Sequence, residues 1–471
     1  MVFANLFFLY IFLPVNLLLY FVTRNATLRN VVLVAMSFVF YAWGEPVWVL
    51  LLLFSALLVY VCGLLVEQHR DSWKSRAALA VAVGSSLFLL GLFKYSGFLY
   101  ENINALFGTR LPIPQFSLPI GISFYTFQII SYVVDVYRGE VKAQRSFLRF
   151  VMYVSMYFQL VAGPIVRYSD VAREIDRRVV DAGEFSQGVT RFCVGLFKKV
   201  AVANVAGSLL VTYMDGDLTA LTVLGAWFGA LLFTLQIYYD FSGYSDMAIG
   251  LGLMFGFHFV ENFNYPYISR TVTEFWRRWH ISLSSFLRDY LYIPLGGNRG
   301  HAFRNLFIVW FATGLWHGAS WNFILWGLFF GLLVMLERLG LRALLERLPG
   351  FVSGVYMFLV VNVSWVLFYF TDLSRAWSYL GVMFGLSGSP LANSQTLLAL
   401  EGNIFWFILV LLFCLPIVPT VKGWLEAAGR ESALNRGLIG ALTPLMNLLI
   451  LLVCTAMLSG QSYNPFLYYR F

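Results

Sequence analysis

The sequence predicts an all-α, polytopic membrane protein, and three observations support this prediction. Only 12% of the 471 residues are charged, whereas soluble domains carry roughly 25% charged residues. Hydrophobic residues make up 60% of the chain. Apolar runs of about 20 residues, the length that crosses a bilayer, recur from one end of the chain to the other. A chain this poor in charge cannot cover a water-facing surface, so most of its surface is assigned to lipid.

The apolar runs predict about 10 to 13 helices that cross the membrane or enter it and return. Helices are required because every backbone group in lipid must be hydrogen-bonded internally, and the runs are too long for barrel strands. The run at 303–337 is long enough for two crossings or a bent hairpin. The candidate runs cover residues 3–22, 30–43, 47–66, 76–98, 115–137, 146–165, 186–213, 219–239, 241–260, 303–337, 352–371, 403–421 and 437–459.

Basic residues between the runs predict the orientation of the chain. They follow the first run at 24–29 and the third run at 70–76, so the positive-inside rule predicts an extracytoplasmic N-terminus. The basic stretches at 138–149 and 167–178 both look cytoplasmic, although an apolar run separates them. Gly163 and the proline after it break that run. We therefore expect it to enter the membrane and return to the same side.

Charge and cysteine content exclude several classes of function. The net charge of +8 is assigned to cytoplasmic loops that face anionic lipids, so membrane lipids are expected partners and nucleic acid is not. The four cysteines lack paired spacing, which argues against a disulfide framework and against a zinc site. No metal motif is present. Every segment between runs is short, so residues 1–471 are interpreted as a single integral-membrane domain.

One polar stretch lies between two apolar runs and reads QIYYDFSGYSD from Gln236 to Asp246. It places these two residues and Asp240 at membrane depth, where polar side chains are costly and often functional. The serine-glycine pair at 242–243 predicts a break, so that the aspartates would cap half-helices. The alternative is that these side chains only make capping or interhelical hydrogen bonds.

A second polar segment, residues 261–300, combines arginine with tryptophan. Trp276 and Trp279 flank the pair Arg277 and Arg278. Arginine makes bidentate contacts with phosphate and stacks on aromatic rings. The segment therefore predicts the wall of an entry for an anionic ligand. A helix of this composition that faces the cytoplasm can also simply lie in the headgroup layer.

The stretch GLWHGASWNFILWG places one histidine, His317, deep in an apolar run. On one continuous helix Trp310 and Trp321 would share its face. Gly314 and Gly318 would form a strip beside it where another helix can approach closely. The alternative is a core histidine whose hydrogen bonds are satisfied and which has no catalytic role.

Such a histidine has a simple chemical use. Burial favours the neutral imidazole, and a neutral imidazole beside a hydroxyl and an activated acyl group is a minimal acyl-transfer site. The stretches GYSDM at 243–247 and GASWN at 318–322 approach the pattern of a nucleophile elbow. Both lack its final glycine and its strand–turn–helix setting, so a hydrolase serine is not expected.

Five motifs together point to one family of membrane enzymes. They are LPIGISFYTFQIISYVVDVYRGE (118–140), LVAGPIVRYSD (160–170), LQIYYDFSGYSDMAIGLGLMFGF (235–257), ENFNYPYISRTVTEFWRRWHISLSSFLRDYLYIPLGGNR (261–299) and TGLWHGASWNFILWG (313–327). In these motifs the chain resembles the membrane-bound O-acyltransferase family, and within it the bacterial branch of alginate O-acetylation. The resemblance covers nearly the whole chain.

The resemblance implies a ring of tilted helices around a central tunnel, with a catalytic core near residues 115–337. It implies that the deep family histidine is His317 and that the second, more exposed one is His280. The implied reaction moves an acetyl group from a cytoplasmic thioester, acetyl-CoA, toward a cell-surface polysaccharide such as alginate or peptidoglycan. The implied location is the bacterial inner membrane, and a separate extracytoplasmic acetyltransferase is the expected protein partner.

The resemblance and the polar pattern together give a set of candidate residues beside the two histidines. Tryptophans would wall the passage, arginines would hold the phosphates of the donor, and amide or hydroxyl groups would stabilise the developing oxyanion. The candidate substrate-binding residues are Trp276, Arg277, Arg278, Trp279, Trp316, Trp321, Asn322, Gln236, Tyr239 and Asp240.

Two other functions remain open at this point. The same chemistry could transfer D-alanine from a carrier protein to teichoic acid. A transporter without acyl chemistry is the other alternative. Transporters of that kind show paired broken helices in two halves, and the sequence shows no such symmetry.

Overall fold

The helices of the chain group into two compact units. The computed structural model describes residues 1–431, 433–460 and 466–467, and no β-strand occurs among them. The first unit contains Met1–Phe192, Tyr244–Glu261 and the described residues of 461–471. The second unit contains Cys193–Gly243 and Asn262–Gly460. The expectation of a single domain stays a prediction.

In the first unit, π-helical turns at Phe8–Phe12 and Gly91–Tyr95 adjoin regular helices. Its helices are α1 (Leu13–Val22), α2 (Ala26–Ala42), α3 (Trp48–Gln68), α4 (Trp73–Leu90), α5 (Ser96–Phe107), α6 (Ile122–Arg138), α7 (Phe147–Ser155), α8 (Tyr157–Leu160), α9 (Tyr168–Asp176) and most of α10 (Ala182–Phe197).

Local sequence accounts for several helix ends in this unit. The Asn25 side chain accepts hydrogen bonds from the backbone N–H groups of Thr27 and Leu28, the second and third residues of α2, at 2.8 and 3.2 Å, as an N-cap residue does. Glycine ends α6 because Gly139 adopts the left-handed conformation, with φ of +79°, which costs a residue without Cβ little.

In the second unit, a π-helical turn at Lys198–Ala203 and a short 3₁₀ helix at Pro266–Ile268 accompany the regular helices. These are α11 (Asn204–Met214), most of α12 (Val223–Met254), α13 (Val272–Arg278), α14 (Ile281–Leu287), α15 (Ala302–His317), α16 (Trp321–Leu336), α17 (Arg342–Arg347), α18 (Gly350–Tyr369), α19 (Leu373–Met383), α20 (Ser394–Gly402), α21 (Ile404–Phe413), α22 (Ile417–Glu431) and α23 (Ala433–Ser459).

Six helical stretches in the described part of the chain are long and apolar enough to cross a membrane. The bent pair α20–α21, with an angle of 62°, would make a seventh. The six are Trp48–Gln68, Trp73–Phe107, Ala182–Met214, Trp321–Arg347, Gly350–Tyr369 and Gly440–Ser459. Other predicted runs form shorter apolar helices, such as Phe8–Val22 and Ala26–Ala42. The predicted class, an all-α polytopic membrane protein, is confirmed, and the central tunnel stays a prediction.

The predicted break at 242–243 is wrong, because α12 continues through it as one helix of 32 residues. Gly243 serves close packing instead. A Cβ on it would lie 2.8 Å from the carbonyl oxygen of Gly195, so only glycine lets the two backbones approach this closely. The aspartates do not cap half-helices: Asp240 pairs with Lys199 at 2.5 Å and Asp246 with Arg191 at 2.6 Å.

Two other apolar runs, 303–337 and 146–165, are interrupted as their sequences predict. The run at 303–337 forms two helices, α15 and α16, that pack along each other. The run at 146–165 is interrupted between α7 and α8, and Gly163 beyond them has a φ of +105°. The predicted break is confirmed, and the return of this run to the same side of the membrane stays a prediction.

Candidate active site

The candidate site is built around α13, whose N-terminus is held from a distant part of the chain. The Glu337 carboxylate, 3% exposed, accepts hydrogen bonds from the backbone N–H groups of Val272 (2.5 Å) and Thr273 (2.9 Å). It also accepts one from the Thr273 hydroxyl at 2.6 Å. A negative charge at a helix N-terminus is stabilising. This carboxylate therefore joins α13 to the end of α16.

His280 lies between α13 and α14 in a left-handed backbone conformation, with φ of +45°. Its side chain is completely buried, so the expectation that it is the more exposed histidine is wrong. The ring packs edge-on against Phe241 at 4.7 Å and lies 5.7 Å from the Trp316 ring. Residues 262–264 run beside the segment, because the Asn262 carbonyl accepts from the Ile281 backbone N–H at 3.0 Å.

The Asn262 side chain determines which nitrogen of His280 carries the proton. Nδ1 of His280 lies 3.1 Å from Oδ1 of Asn262. The same oxygen accepts from the Ser282 backbone N–H at 3.3 Å and from the Ser282 hydroxyl at 2.8 Å. An atom that accepts from an N–H must be the amide oxygen, so Nδ1 of His280 is the donor. Nε2 then carries the lone pair, and it has no hydrogen-bond partner among the described residues.

Burial also sets the charge of this ring. His280 lies in the connection between α13 and α14, outside the helices that are long enough to span a membrane. Burial lowers the pKa of His280 from 6.5 to about 3, because the apolar surroundings disfavour the imidazolium. His280 is therefore a neutral, oriented base at physiological pH.

His317 is the last residue of α15 and is 5% exposed. Three aromatic rings surround its imidazole: Trp326 at 4.8 Å, Trp316 at 4.9 Å and Phe368 at 5.5 Å between ring centroids. The Trp316 indole thus contacts both histidine rings. The structure brings together the two histidines that the sequence singled out.

Glycines hold α15 and α16 close together beside His317. A Cβ on Gly314 would collide with the carbonyl oxygen of Phe323 and lie 3.0 Å from the Cα of Ile324. A Cβ on Gly327 would collide with the carbonyl oxygen of Trp310. The predicted small-residue strip for close helix approach is confirmed at Gly314.

The single helical face predicted for this region is wrong, because α15 ends at His317 and the chain is extended at Gly318. Trp321 begins α16 and is 50% exposed, so it does not share the face of His317. The next residue, Asn322, is fully buried, and its amide donates to the carbonyl oxygens of Leu367 (3.3 Å) and Phe368 (3.1 Å). The Asn322 side-chain amide therefore links α16 to α18.

The three other candidate tryptophans, Trp276, Trp279 and Trp316, lie in the interior. Trp276 packs edge-on against Trp310 at 4.8 Å and lies 5.7 Å from Trp326. Trp279 lies 5.0 Å from Trp365. We call these five residues, with Trp316, the tryptophan cluster. Trp316 contacts both imidazoles, Trp326 contacts that of His317, and the other tryptophans extend this apolar surface through contacts with Trp326 and with one another.

The three polar residues predicted on α12 make their contacts away from the two histidines. Gln236 packs beside Gly207 on α11. The Tyr239 hydroxyl donates to the carbonyl of Val410 at 2.6 Å, and Asp240 forms the buried ion pair with Lys199. Phe241, on another face of the same helix, is the residue that contacts His280. Helical periodicity therefore separates the predicted polar residues from the histidines.

The two predicted arginines differ in their surroundings. Arg278 is half-buried and paired with Glu274 at 3.0 Å, one turn earlier in α13. Arg277 is exposed at the end of the same helix. Groups of three or more His, Cys, Asp or Glu side chains placed to bind a metal ion do not occur in the described ranges.

Sequence reasoning missed the residues that hold the site in shape. Phe368 and Glu337 lie outside the quoted motifs, and Asn262 shares the motif at 261–299 with His280 but lies 18 residues before it. One signal was available for Asn262 and Glu337: a polar residue in or beside an apolar segment is costly unless it has a partner.

Comparison with known proteins agrees with this architecture. The family model of the membrane-bound O-acyltransferase family matches residues 33–375. The chain is 39% identical to a probable alginate O-acetylase, AlgI, of Pseudomonas aeruginosa, with the full length of both chains covered. It is 34% identical to a peptidoglycan O-acetyltransferase of Helicobacter pylori, over 82% of this chain and 80% of the relative. It is 28% identical to a teichoic acid D-alanyltransferase of Bacillus subtilis, over 46% of this chain and 58% of the relative. The chain belongs to the membrane-bound O-acyltransferase family and is a multi-pass membrane acyltransferase.

Proposed function

We propose that this protein is a membrane O-acetyltransferase that moves an acetyl group from cytoplasmic acetyl-CoA toward the hydroxyl groups of an extracytoplasmic polysaccharide. The names of the alginate and peptidoglycan relatives support the acetyl group and the class of acceptor. The bacterial cytoplasmic membrane is the location that fits a donor on one side and a cell-surface acceptor on the other.

The observation that carries the proposal is the pair of buried imidazoles on either side of Trp316. Nε2 of His280 carries a lone pair without a hydrogen-bond partner among the described residues, and the rings of His280 and His317 contact the same indole. Acyl transfer needs such a base within reach of a hydroxyl, and it needs water excluded because water would hydrolyse the donor. The tryptophan cluster supplies the exclusion of water.

In the proposed reaction, an oxygen–carbon bond forms between the acceptor hydroxyl and the thioester carbonyl, and the carbon–sulfur bond breaks. The hydroxyl proton passes to an imidazole and then to the departing thiolate, so that atoms and charges balance. We assign His317 as the base that takes this proton and His280 as its support. With a pKa of about 3, His280 is a weak proton acceptor at neutral pH, which fits a supporting role.

Arginines of the segment 270–304 are proposed to bind the phosphates of the donor. Two of its six arginines, Arg278 and Arg288, are paired with Glu274 and Asp289. Arg277 is exposed at the end of α13, directly after the buried Trp276. An exposed guanidinium beside the aromatic wall suits a ligand whose phosphates stay in water while its acetyl end enters the protein.

We further propose that the acetyl group is handed to a separate extracytoplasmic acetyltransferase, which modifies the polymer. Binding of a polysaccharide chain requires a folded surface with aligned aromatic and polar groups. Because every segment between the apolar runs is short, we assign this surface to the partner.

The function is tested with purified protein in liposomes and radiolabelled acetyl-CoA on the cytoplasmic side only. Label should reach a polysaccharide outside only when the acetyltransferase partner is added. Efficient acetylation of the polymer without a partner contradicts the relay, and no transfer with any partner or acceptor contradicts the acetyl assignment. A parallel arm with a D-alanyl carrier-protein thioester tests the chemistry of the teichoic acid relatives.

A further inference from the structure

A charged side chain in the first unit lies where an apolar helix should contain none. Lys94 belongs to the π-helical turn Gly91–Tyr95, inside the long apolar stretch Trp73–Phe107. A charged residue in a membrane-spanning segment is costly and usually marks a binding site or an ion path. π-helical turns inside α-helices occur frequently at functional sites.

The basic residues of the same helices show which side of the membrane Lys94 faces. Arg70, Lys74 and Arg76 flank the start of α4, and Arg138 ends α6. Excess basic charge marks the cytoplasmic side. At a rise of 1.5 Å per residue Lys94 lies about 30 Å beyond Lys74, which is the thickness of the hydrocarbon core. Lys94 therefore lies at the extracytoplasmic boundary.

Lys94 and the first turn of α6 line one cavity of about 120 Å³. The Lys94 ammonium donates to the Ser123 hydroxyl at 3.3 Å, and residues 118–124 form one wall. The first turn of α6 contains no acidic residue, so its partial positive charge adds to that of the ammonium. A liquid water occupies ~30 Å³, so the space accommodates a group as large as a phosphate.

Leu118, which lines the cavity, belongs to a loop that exposes apolar side chains. The loop before α6 exposes four large apolar side chains: Leu111, Ile113, Phe116 and Leu118. Phe116 packs edge-on against Phe93, the neighbour of Lys94, at 5.7 Å. A water-soluble anion has no apolar surface to bury against these side chains. An amphipathic anion would place its charge on Lys94 and its chains along these side chains.

We propose that this cavity binds the headgroup phosphate of an anionic glycerophospholipid of the outer leaflet. Lys94 supplies the charge, Ser123 a hydrogen-bonding hydroxyl, and the exposed loop a surface for the acyl chains. Every residue that lines the cavity belongs to the first unit and both histidines belong to the second, so the proposal does not rest on the proposed reaction.

The test is native mass spectrometry of the purified protein with phosphatidylglycerol or phosphatidylcholine. We expect wild type to retain phosphatidylglycerol in preference to phosphatidylcholine. Lys94→Met should reduce retained phosphatidylglycerol at least fivefold, and Lys94→Arg should restore most of it. Lys74→Met, an exposed lysine at the other end of α4, is the matched control and should bind as wild type does.

Three outcomes overturn the proposal: equal retention of both lipids by wild type, unchanged binding by Lys94→Met, or displacement of the lipid by millimolar glycerol 3-phosphate or a soluble polyuronate. The last outcome would show that a water-soluble anion is the ligand. Should Lys94→Met fail to fold, photoactivatable phosphatidylglycerol on the wild type replaces it. Cross-links must then fall in residues 91–95 or 118–124, and cross-links confined to other segments contradict the site.

Discussion

The amide oxygen of Asn262 lies 3.1 Å from Nδ1 of His280, and both side chains are completely buried. Because the same oxygen accepts from the backbone N–H of Ser282, it holds the imidazole in the tautomer whose Nε2 is free to accept a proton. This pair explains why a histidine occupies a strained left-handed position: the strain is offset by a hydrogen bond that orients the His280 imidazole.

Asn262 is therefore expected to act as a positioning residue. Because Asn262 orients the supporting histidine and not the assigned base, Asn262→Ala should lower kcat by roughly tenfold, below the ~100-fold or more that a general base contributes, and should leave KM for the donor nearly unchanged. Asn262→Asp should restore part of kcat and move the acid limb of the pH–rate profile to higher pH, because a carboxylate stabilises the imidazolium. Asn264→Ala, an exposed residue of the same loop, is the control. Equal loss of kcat in Asn264→Ala and Asn262→Ala would contradict this role.

His317→Ala should abolish acetyl transfer while membrane insertion and purification stay normal. The ring lies within an aromatic enclosure and carries the chemistry in the proposed reaction. His301→Ala, which removes an exposed imidazole just before the same helix, should transfer as wild type does. The measurement is label transferred from acetyl-CoA per mole of protein. Near-wild-type transfer by His317→Ala, with His280→Ala inactive at unchanged donor affinity, would reverse the assignment of the base.

The stability of the protein should depend on pH through His280. Its pKa is about 3 when folded and returns to ~6.5 when unfolded. Between these values the unfolded state binds more protons, so this contribution to stability is complete above about pH 6.5 and is lost as the pH falls. The slope is about 1.4 kcal/mol per pH unit.

The pH dependence of stability is measured as the thermal unfolding midpoint of the protein in detergent between pH 7.5 and pH 5. His280→Gln should flatten the decline because glutamine does not titrate, and His301→Gln should leave it unchanged. A decline as steep in His280→Gln as in the parent protein would show that other groups cause it.

Gly314→Ala should separate α15 from α16, because the added methyl collides with the Phe323 carbonyl. We expect a loss of about 1–3 kcal/mol of stability from overpacking, together with a fall in kcat as His317 moves relative to Trp326. Gly354→Ala on α18 meets no atom within 4 Å and should change neither quantity. Thermal unfolding and single-turnover transfer measure the two effects. A wild-type midpoint for Gly314→Ala would mean that the helices lie farther apart than described.

Arg277→Gln should raise KM for acetyl-CoA, and the increase should shrink at high salt because screened charge contacts weaken there. Arg278→Gln should have a smaller effect on KM, since its guanidinium is already paired with Glu274. Arg347→Gln, another exposed arginine of the second unit, should leave KM as it is. If Arg277→Gln and Arg347→Gln behave alike, Arg277 only anchors the protein in the headgroup layer.

The class of the fold and the two histidines follow from the sequence alone. Apolar runs and scarce charge determine an all-helical membrane protein, because lipid allows no other pattern of backbone hydrogen bonds. A buried histidine in an apolar run stands out by the same rule, and the predicted glycine strip at Gly314 lies at a close helix contact.

Only the tertiary structure decided which polar residues serve the histidines. Gln236, Tyr239 and Asp240 share a segment with Phe241, yet a helix turns 100° per residue and directs them to other neighbours. Asn262 reaches His280 across 18 residues, and Glu337 caps α13 across more than 60. Sequence spacing determines periodicity within one element. Contacts between elements depend on packing in three dimensions, which a single sequence does not display.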